Sequence, residues 1–152
     1  MNADERGSEI ESGEFKHGDL TQKIIGVFYD VYNELGHGFL ESVYQNSMLA
    51  ALAGKGVKAA QKIPIVVHFR GMIVGEFEAD LLVEDAVLLE LKAVRSLDSA
   101  HESQLLNYLR ATSIEIGLLL NFGPKPQIKR LAVDNSRKRC RETIDFHLRH
   151  LR

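Results

Sequence analysis

The chain has 152 residues, 45% of them hydrophobic, a formal net charge of −2 and one cysteine, Cys140. That composition suits one globular core with tails and excludes an intrachain disulfide or a Cys-rich metal cluster. The charge balance also gives no broad basic face of the kind that grips nucleic-acid phosphates. A basic start followed by an apolar core is missing, as is any apolar run long enough to span a bilayer, so the sequence reads as a cytoplasmic protein without membrane attachment.

Residues 1–18 are acidic and glycine/serine-punctuated, with no periodicity, and are expected to be a flexible leader. The folded domain is expected over 19–134. Leu20, Ile24, Val27, Val31 and Leu35 recur at helical spacing until Gly36 and Gly38 break the pattern. A second helix is expected over about 40–53, with Val43, Tyr44, Met48 and Leu52 inward and Gly54 and Gly56 ending it. Residues 57–69, 72–83 and 86–94 are rich in β-branched and aliphatic side chains and predict three consecutive antiparallel strands. Ser99 and Glu102 then look like a capping box for a third helix with Leu105, Leu106 and Leu109 inward. Residues 114–122 are almost unbroken apolar sequence, as in a strand buried on both faces, and 128–133 give a last strand. The order is ααβββαββ. Residues 135–152 form a basic tail, in which Cys140, Ile144, Leu148 and Leu151 have roughly helical spacing. Such a helix could dock on the body, or on a second copy or partner subunit.

Two charges interrupt the third strand. Glu90 and Lys92 share one face of it while Leu89 and Leu91 point the other way. Taken alone, they could be a solvated surface pair worth a fraction of a kcal/mol. Asp80, ten residues before Glu90 on the preceding strand, is a second anomaly. A two-residue turn at Glu84 and Asp85 would set Asp80 opposite Leu89 and part it from Glu90. A three-residue loop, or a bulge, would set Asp80 opposite Glu90, so that both carboxylates share a face with Lys92. Carboxylates that close raise each other's pKa unless a cation neutralises them. The residues therefore point to a divalent-metal site and require an odd hairpin loop.

At this point the chain resembles the GxxExxY proteins of the PD-(D/E)XK nuclease superfamily. The heptapeptide GFLESVY at 38–44 carries Gly38, Glu41 and Tyr44; Asp80 followed by Glu90, Leu91 and Lys92 carries the superfamily signature, and Gln104 with Tyr108 the helix that follows. Ala79 stands where the signature has proline. The resemblance implies a restriction-endonuclease-like α/β fold, an αβββαβ core whose mixed central sheet is flanked by helices. It further implies metal-dependent hydrolysis of nucleic acid, DNA favoured over RNA. Asp80, Glu90 and the Leu91 carbonyl would hold Mg²⁺ or Mn²⁺, with Glu41 joining directly or through water. Lys92 would orient or deprotonate the attacking water, and Gln104 would position water or phosphate.

Other features read as structural. Glu41 at a helix start also simply favours the helix dipole. Tyr108 reads first as core filling and only then as a substrate contact. His37, His68 and His101 form no zinc spacing and are taken as incidental, and Gly54, Lys55 and Gly56 lack a phosphate-loop context. A second function fits the small size and neutral charge: a nuclease-fold binding or regulatory subunit with weak or no catalysis.

Overall fold

The computed structural model describes residues 16–138. Helices α1 (Gly18–Leu35) and α2 (Glu41–Gly54) lead into strands β1 (Ala59–Phe69), β2 (Met72–Val83) and β3 (Val87–Lys92). Helix α3 (Ser99–Arg110) and strands β4 (Ile116–Phe122) and β5 (Pro126–Ala132) follow, and a 3-10 turn, Asn135–Arg137, closes the described chain. The element order is the expected one, with strand ends shifted by a residue or two. The expected C-terminal helix and the leader up to residue 15 lie outside the described residues. The fold reaches back into the stretch expected to be leader, because Lys16 Nζ meets Glu115 Oε1 at 2.9 Å and Arg130 donates to the Lys16 carbonyl. Among the described residues no helix is long and apolar enough to cross a membrane.

The strands form one sheet in sequence order, antiparallel except for the parallel β3–β4 pair, whose crossover carries α3. Helices α1 and α2 cover one face, where Val27, Phe28, Tyr44, Met48 and Leu52 meet Leu89, Leu91, Leu118, Leu120 and Phe122. Helix α3 covers the other, where Leu105 and Leu109 meet Leu82, Leu88 and Leu119. Covered on both sides, β4 buries all seven of its residues, which explains its unbroken apolar sequence. Each fully buried leucine of this kind contributes about 1.5–3 kcal/mol. A side chain at Gly117 would bring its Cβ within 2.9 Å of Leu105, so the glycine lets α3 lie close on β4. Pro64 and Pro126 sit on the edge strands, where a missing N–H forfeits no ladder bond.

The β1–β2 and β2–β3 turns come from backbone that few residue types accept. Arg70 and Gly71, at φ 52° and 79°, make the two-residue turn between Phe69 and Met72. Beyond Val67 and Gly75 this hairpin is largely exposed, a ribbon standing out from the core. Its faces exchange partway along. Leu81 and Val83 face α1 and α2, whereas Ala79, Ile63 and Ile65 belong to the α3 side, and Phe77 lies against Tyr108 of α3. Strict alternation would have kept 77, 79, 81 and 83 on one face. The exchange falls on Asp80 and on Lys62, which lies between the β1 partners of Leu81 and Ala79 and has φ 57°.

Helix α3 is capped one residue earlier than expected. The Asp98 carboxylate accepts from the Ala100 and His101 N–H groups at 2.9 and 3.2 Å, and His101 Nδ1 accepts from the Asp98 N–H at 3.1 Å. The box is therefore Asp98 with His101 in place of Ser99 with Glu102. Aspartate brings a full charge to the helix N-terminus as well as an acceptor, which a serine does not. His101, expected to be incidental, thus has a structural role.

Candidate functional site

The β2–β3 hairpin has the odd loop that the site requires. Val83 pairs with Val87, Leu82 with Leu88 and Leu81 with Leu89, leaving Glu84, Asp85 and Ala86 as a three-residue connection with Glu84 and Asp85 at φ 51° and 55°. The same register carried on sets Asp80 opposite Glu90. There the backbone ladder stops and side chains take over. The Leu91 N–H, aimed at β2, donates to Asp80 Oδ2 at 2.7 Å, and the Asp80 N–H donates to Glu90 Oε1 at 3.1 Å. Each carboxylate thus occupies the place of a ladder carbonyl from the other strand. A strand residue's N–H and C=O point to the same side, so the Leu91 carbonyl faces this opening too.

The expected sharing of one face needs refinement, since Asp80 lies where β2 exchanges faces and its carboxylate enters the ladder. Helix α2 reaches it from the other layer: Gln45 Nε2 donates to Asp80 Oδ1 at 2.9 Å. Gln45 was missed in the sequence, although it stands four residues after Glu41 and hence on the same helix face. Glu41, in the first turn of α2, adds negative charge that acts on both Asp80 and Glu90, while Lys92 opposes it. Lys92 makes no ion pair within 4.0 Å among the described residues. On α3, Gln104 Nε2 donates to the Tyr108 hydroxyl at 3.0 Å.

Burial governs the electrostatics. Glu90 is only 4% exposed, and desolvation, with the repulsion of Asp80 next, pushes its carboxyl up to about 8. Burial likewise raises Asp80, against the Leu91 N–H that favours its charged form and with Glu41 adding repulsion. Tyr108 is raised by burial and then by the charge of Glu90, which places it beside the carboxylates. Among the described residues no three His, Cys, Asp or Glu side chains stand ready as a metal cage. The donor chemistry nevertheless fits a hard divalent cation, whose charge would offset the repulsion among Asp80, Glu90 and Glu41.

A polar node braces the chain just after Lys92. The side chain of Asn121, fully buried, accepts from the Val94 N–H and donates to the Val94 carbonyl and to Gln127, and Gln127 accepts from the Leu97 N–H. A Cβ at Gly123 would overlap the Val94 carbonyl, so only glycine fits there. The expected motif tyrosine is structural: the fully buried Tyr44 stacks on Phe122 at 4.2 Å, donates to the Gly36 carbonyl and accepts from the Phe39 N–H. Tyr44→Phe removes both hydrogen bonds and should destabilise the chain by about 1–3 kcal/mol in denaturant unfolding, loosening the loop that aims Glu41.

A five-stranded mixed sheet opened at the β2–β3 hairpin and flanked by helices on both faces is a restriction-endonuclease-like α/β fold. Residues 18–131 match the sequence signature of the PD-(D/E)XK nuclease superfamily, and the chain belongs to that superfamily. Its members generally use divalent metals. Among solved structures, the "Crystal structure of SSO0001" is similar in fold, with a TM-score of 0.50 and 19% identity over 85% of this chain and 62% of that one. The chain thus spans less than two thirds of that structure's length. No curated protein matches the sequence.

Proposed function

We propose that this chain hydrolyses phosphodiester bonds of nucleic acid, DNA before RNA, and that it is a nuclease of the GxxExxY type using Mg²⁺ or Mn²⁺. The observation that carries this reading is the crossed pair Asp80 and Glu90, bound to each other's strands where the ladder opens, with Lys92 two residues on. Asp80, Glu90 and the Leu91 carbonyl would hold the cation, and Glu41 would contribute directly or through water. When bound, the cation supplies Lewis-acid activation of water and phosphate. Gln45 holds Asp80 in place through its amide. Lys92, which makes no ion pair within 4.0 Å among the described residues, is available to orient the attacking water and to offset charge gathering on the phosphate. Gln104, tethered to Tyr108, positions water or a phosphate oxygen from the α3 side.

The test is incubation of purified protein with plasmid, single-stranded DNA and RNA in Mg²⁺ or Mn²⁺, with EDTA as control. Cleavage that requires the cation is expected. Calorimetry should also detect the cation binding to wild type and not to Asp80→Asn. A chain that neither binds the cation nor cleaves any of the three substrates is no nuclease by itself.

A further inference from the structure

Two phenylalanines that the core does not use flank the carboxylates. Phe39 lies in the α1–α2 loop two residues before Glu41 and is 49% exposed, beside the still more exposed Leu40. It is held in place, since its N–H bonds the Tyr44 hydroxyl and its ring packs edge-on against Tyr44 at 6.1 Å. On the opposite side Phe77 is 50% exposed, with its ring 6.0 Å from that of Tyr108. Phe77 precedes Asp80 by three residues, about 10 Å along an extended strand, which is roughly three nucleotides of a stacked strand at about 3.4 Å each. Each exposed ring is propped from behind by a buried tyrosine.

The local charge narrows what those rings can meet. Five carboxylates, Glu41, Glu76, Glu78, Asp80 and Glu90, lie along this stretch against two lysines, Lys92 and the exposed Lys62 on β1 across from Asp80, with Glu78 close enough to act on Asp80. A duplex offers two phosphate backbones and keeps its base faces stacked inside, so its affinity depends on cationic contacts, which the carboxylates of this rim outnumber. A single strand can turn its bases onto aromatic rings, and such stacking is independent of sequence because every base has a flat face.

We propose that Phe39 and Phe77 are stacking platforms for unpaired bases on either side of the scissile phosphate, so that the substrate strand is single-stranded where it is cut. This rests on the nuclease reading above. The apolar residues farther out on the ribbon, Phe69, Met72, Ile73 and Val74, are also exposed and form the competing surface, suited to a second copy of the chain.

The experiment is fluorescence anisotropy in EDTA with a labelled DNA single strand, its RNA counterpart and the blunt duplex, run beside sedimentation of the same proteins. Either single strand should bind at least about tenfold more tightly than the duplex. Phe39→Ala and Phe77→Ala should each weaken strand binding about 5- to 100-fold. Phe→Tyr at either position should keep it within about twofold, because the tyrosine ring still stacks. Melting temperatures should hold, because both rings are half exposed. Equal affinity for strand and duplex, or alanine variants that bind as wild type does, would overturn the proposal while leaving cation-dependent cleavage intact. If Phe77→Ala instead turns a dimer into a monomer and strand binding is unchanged, Phe77 belongs to a self-association surface and the proposal is wrong. Failure of the nuclease reading looks different: no cation-dependent cleavage, with single-strand preference by stacking still present.

Discussion

Replacing Lys92 with alanine should lower the rate of cation-dependent cleavage by about 10²–10⁴-fold, the range that a positioned proton-transfer or charge-stabilising group supplies. The fold should survive the change. Lys92 is the last residue of β3, it makes no ion pair within 4.0 Å among the described residues, and the Asn121 node that braces the following loop does not include it. Its positive charge favours ionisation of Asp80 and Glu90 but also repels a bound cation, and because these two effects of its loss oppose each other, cation affinity in the variant should change little while turnover collapses. Single-turnover cleavage at saturating cation separates the two effects. Cleavage by Lys92→Ala at the wild-type rate would assign the chemistry to other groups or to a contaminant.

The second large effect is on stability and has a definite sign. Burial raises Glu90 from its ordinary value to about 8, so between roughly pH 4.5 and 8 the folded chain holds a proton that the unfolded chain has released. The contribution is fully present below pH 4.5, is lost as pH rises through the folded value and stays constant above it. Asp80, raised for the same reason, works in the same direction. Glu90→Gln keeps the oxygen that accepts the Asp80 N–H and removes the charge. At about 1.4 kcal/mol per pKa unit, it should stabilise the cation-free protein by a few kcal/mol at pH 8.5 and by almost nothing at pH 4. In melting temperature the gain at pH 8.5 should be on the order of 10 °C. Adding Mg²⁺ or Mn²⁺ should raise the melting temperature of wild type above pH 7 and leave Glu90→Gln unmoved. A variant whose stability tracks wild type at every pH would show that Glu90 titrates alike in the folded and unfolded chain and that its burial costs nothing.

Much of this architecture can be read from the residues themselves. Residues 116–122 announce a strand covered on both faces because nothing polar but Asn121 interrupts them, and the two-sided core confirms why. The three-residue β2–β3 loop followed from asking how Asp80 and Glu90 could meet. The exchange of faces at Asp80 is harder to foresee, because it depends on Lys62 adopting φ 57°, which neither its residue type nor its neighbours require. Its trace is a change of rhythm in β2. Apolar and acidic residues alternate from Glu76 to Ala79, after which Leu81, Leu82 and Val83 are continuously apolar. Gln45 escaped notice because a glutamine on a helix reads as surface until a carboxylate from another layer is known to lie beside it. Asn121 is of a type that suits a turn before Pro124, whereas its complete burial makes it a fastener for the loop behind Lys92.

That fastener bears on how the molecule could move. Val94 and Leu97 are tied to β4 and β5 through Asn121 and Gln127, and the Tyr32 hydroxyl ties α1 to the Gly123 carbonyl at 2.7 Å. The end of the sheet that carries Lys92 is therefore cross-braced, and in the proposed nuclease it would be the fixed jaw against which substrate is registered. The less braced segment is the ribbon beyond Lys62, which is largely exposed, whereas the α1–α2 loop is itself pinned by the Tyr44 hydroxyl. In the proposed nuclease, accommodation of a bound strand would fall to that ribbon, while the spacing between the carboxylates and the lysine stays set by the sheet.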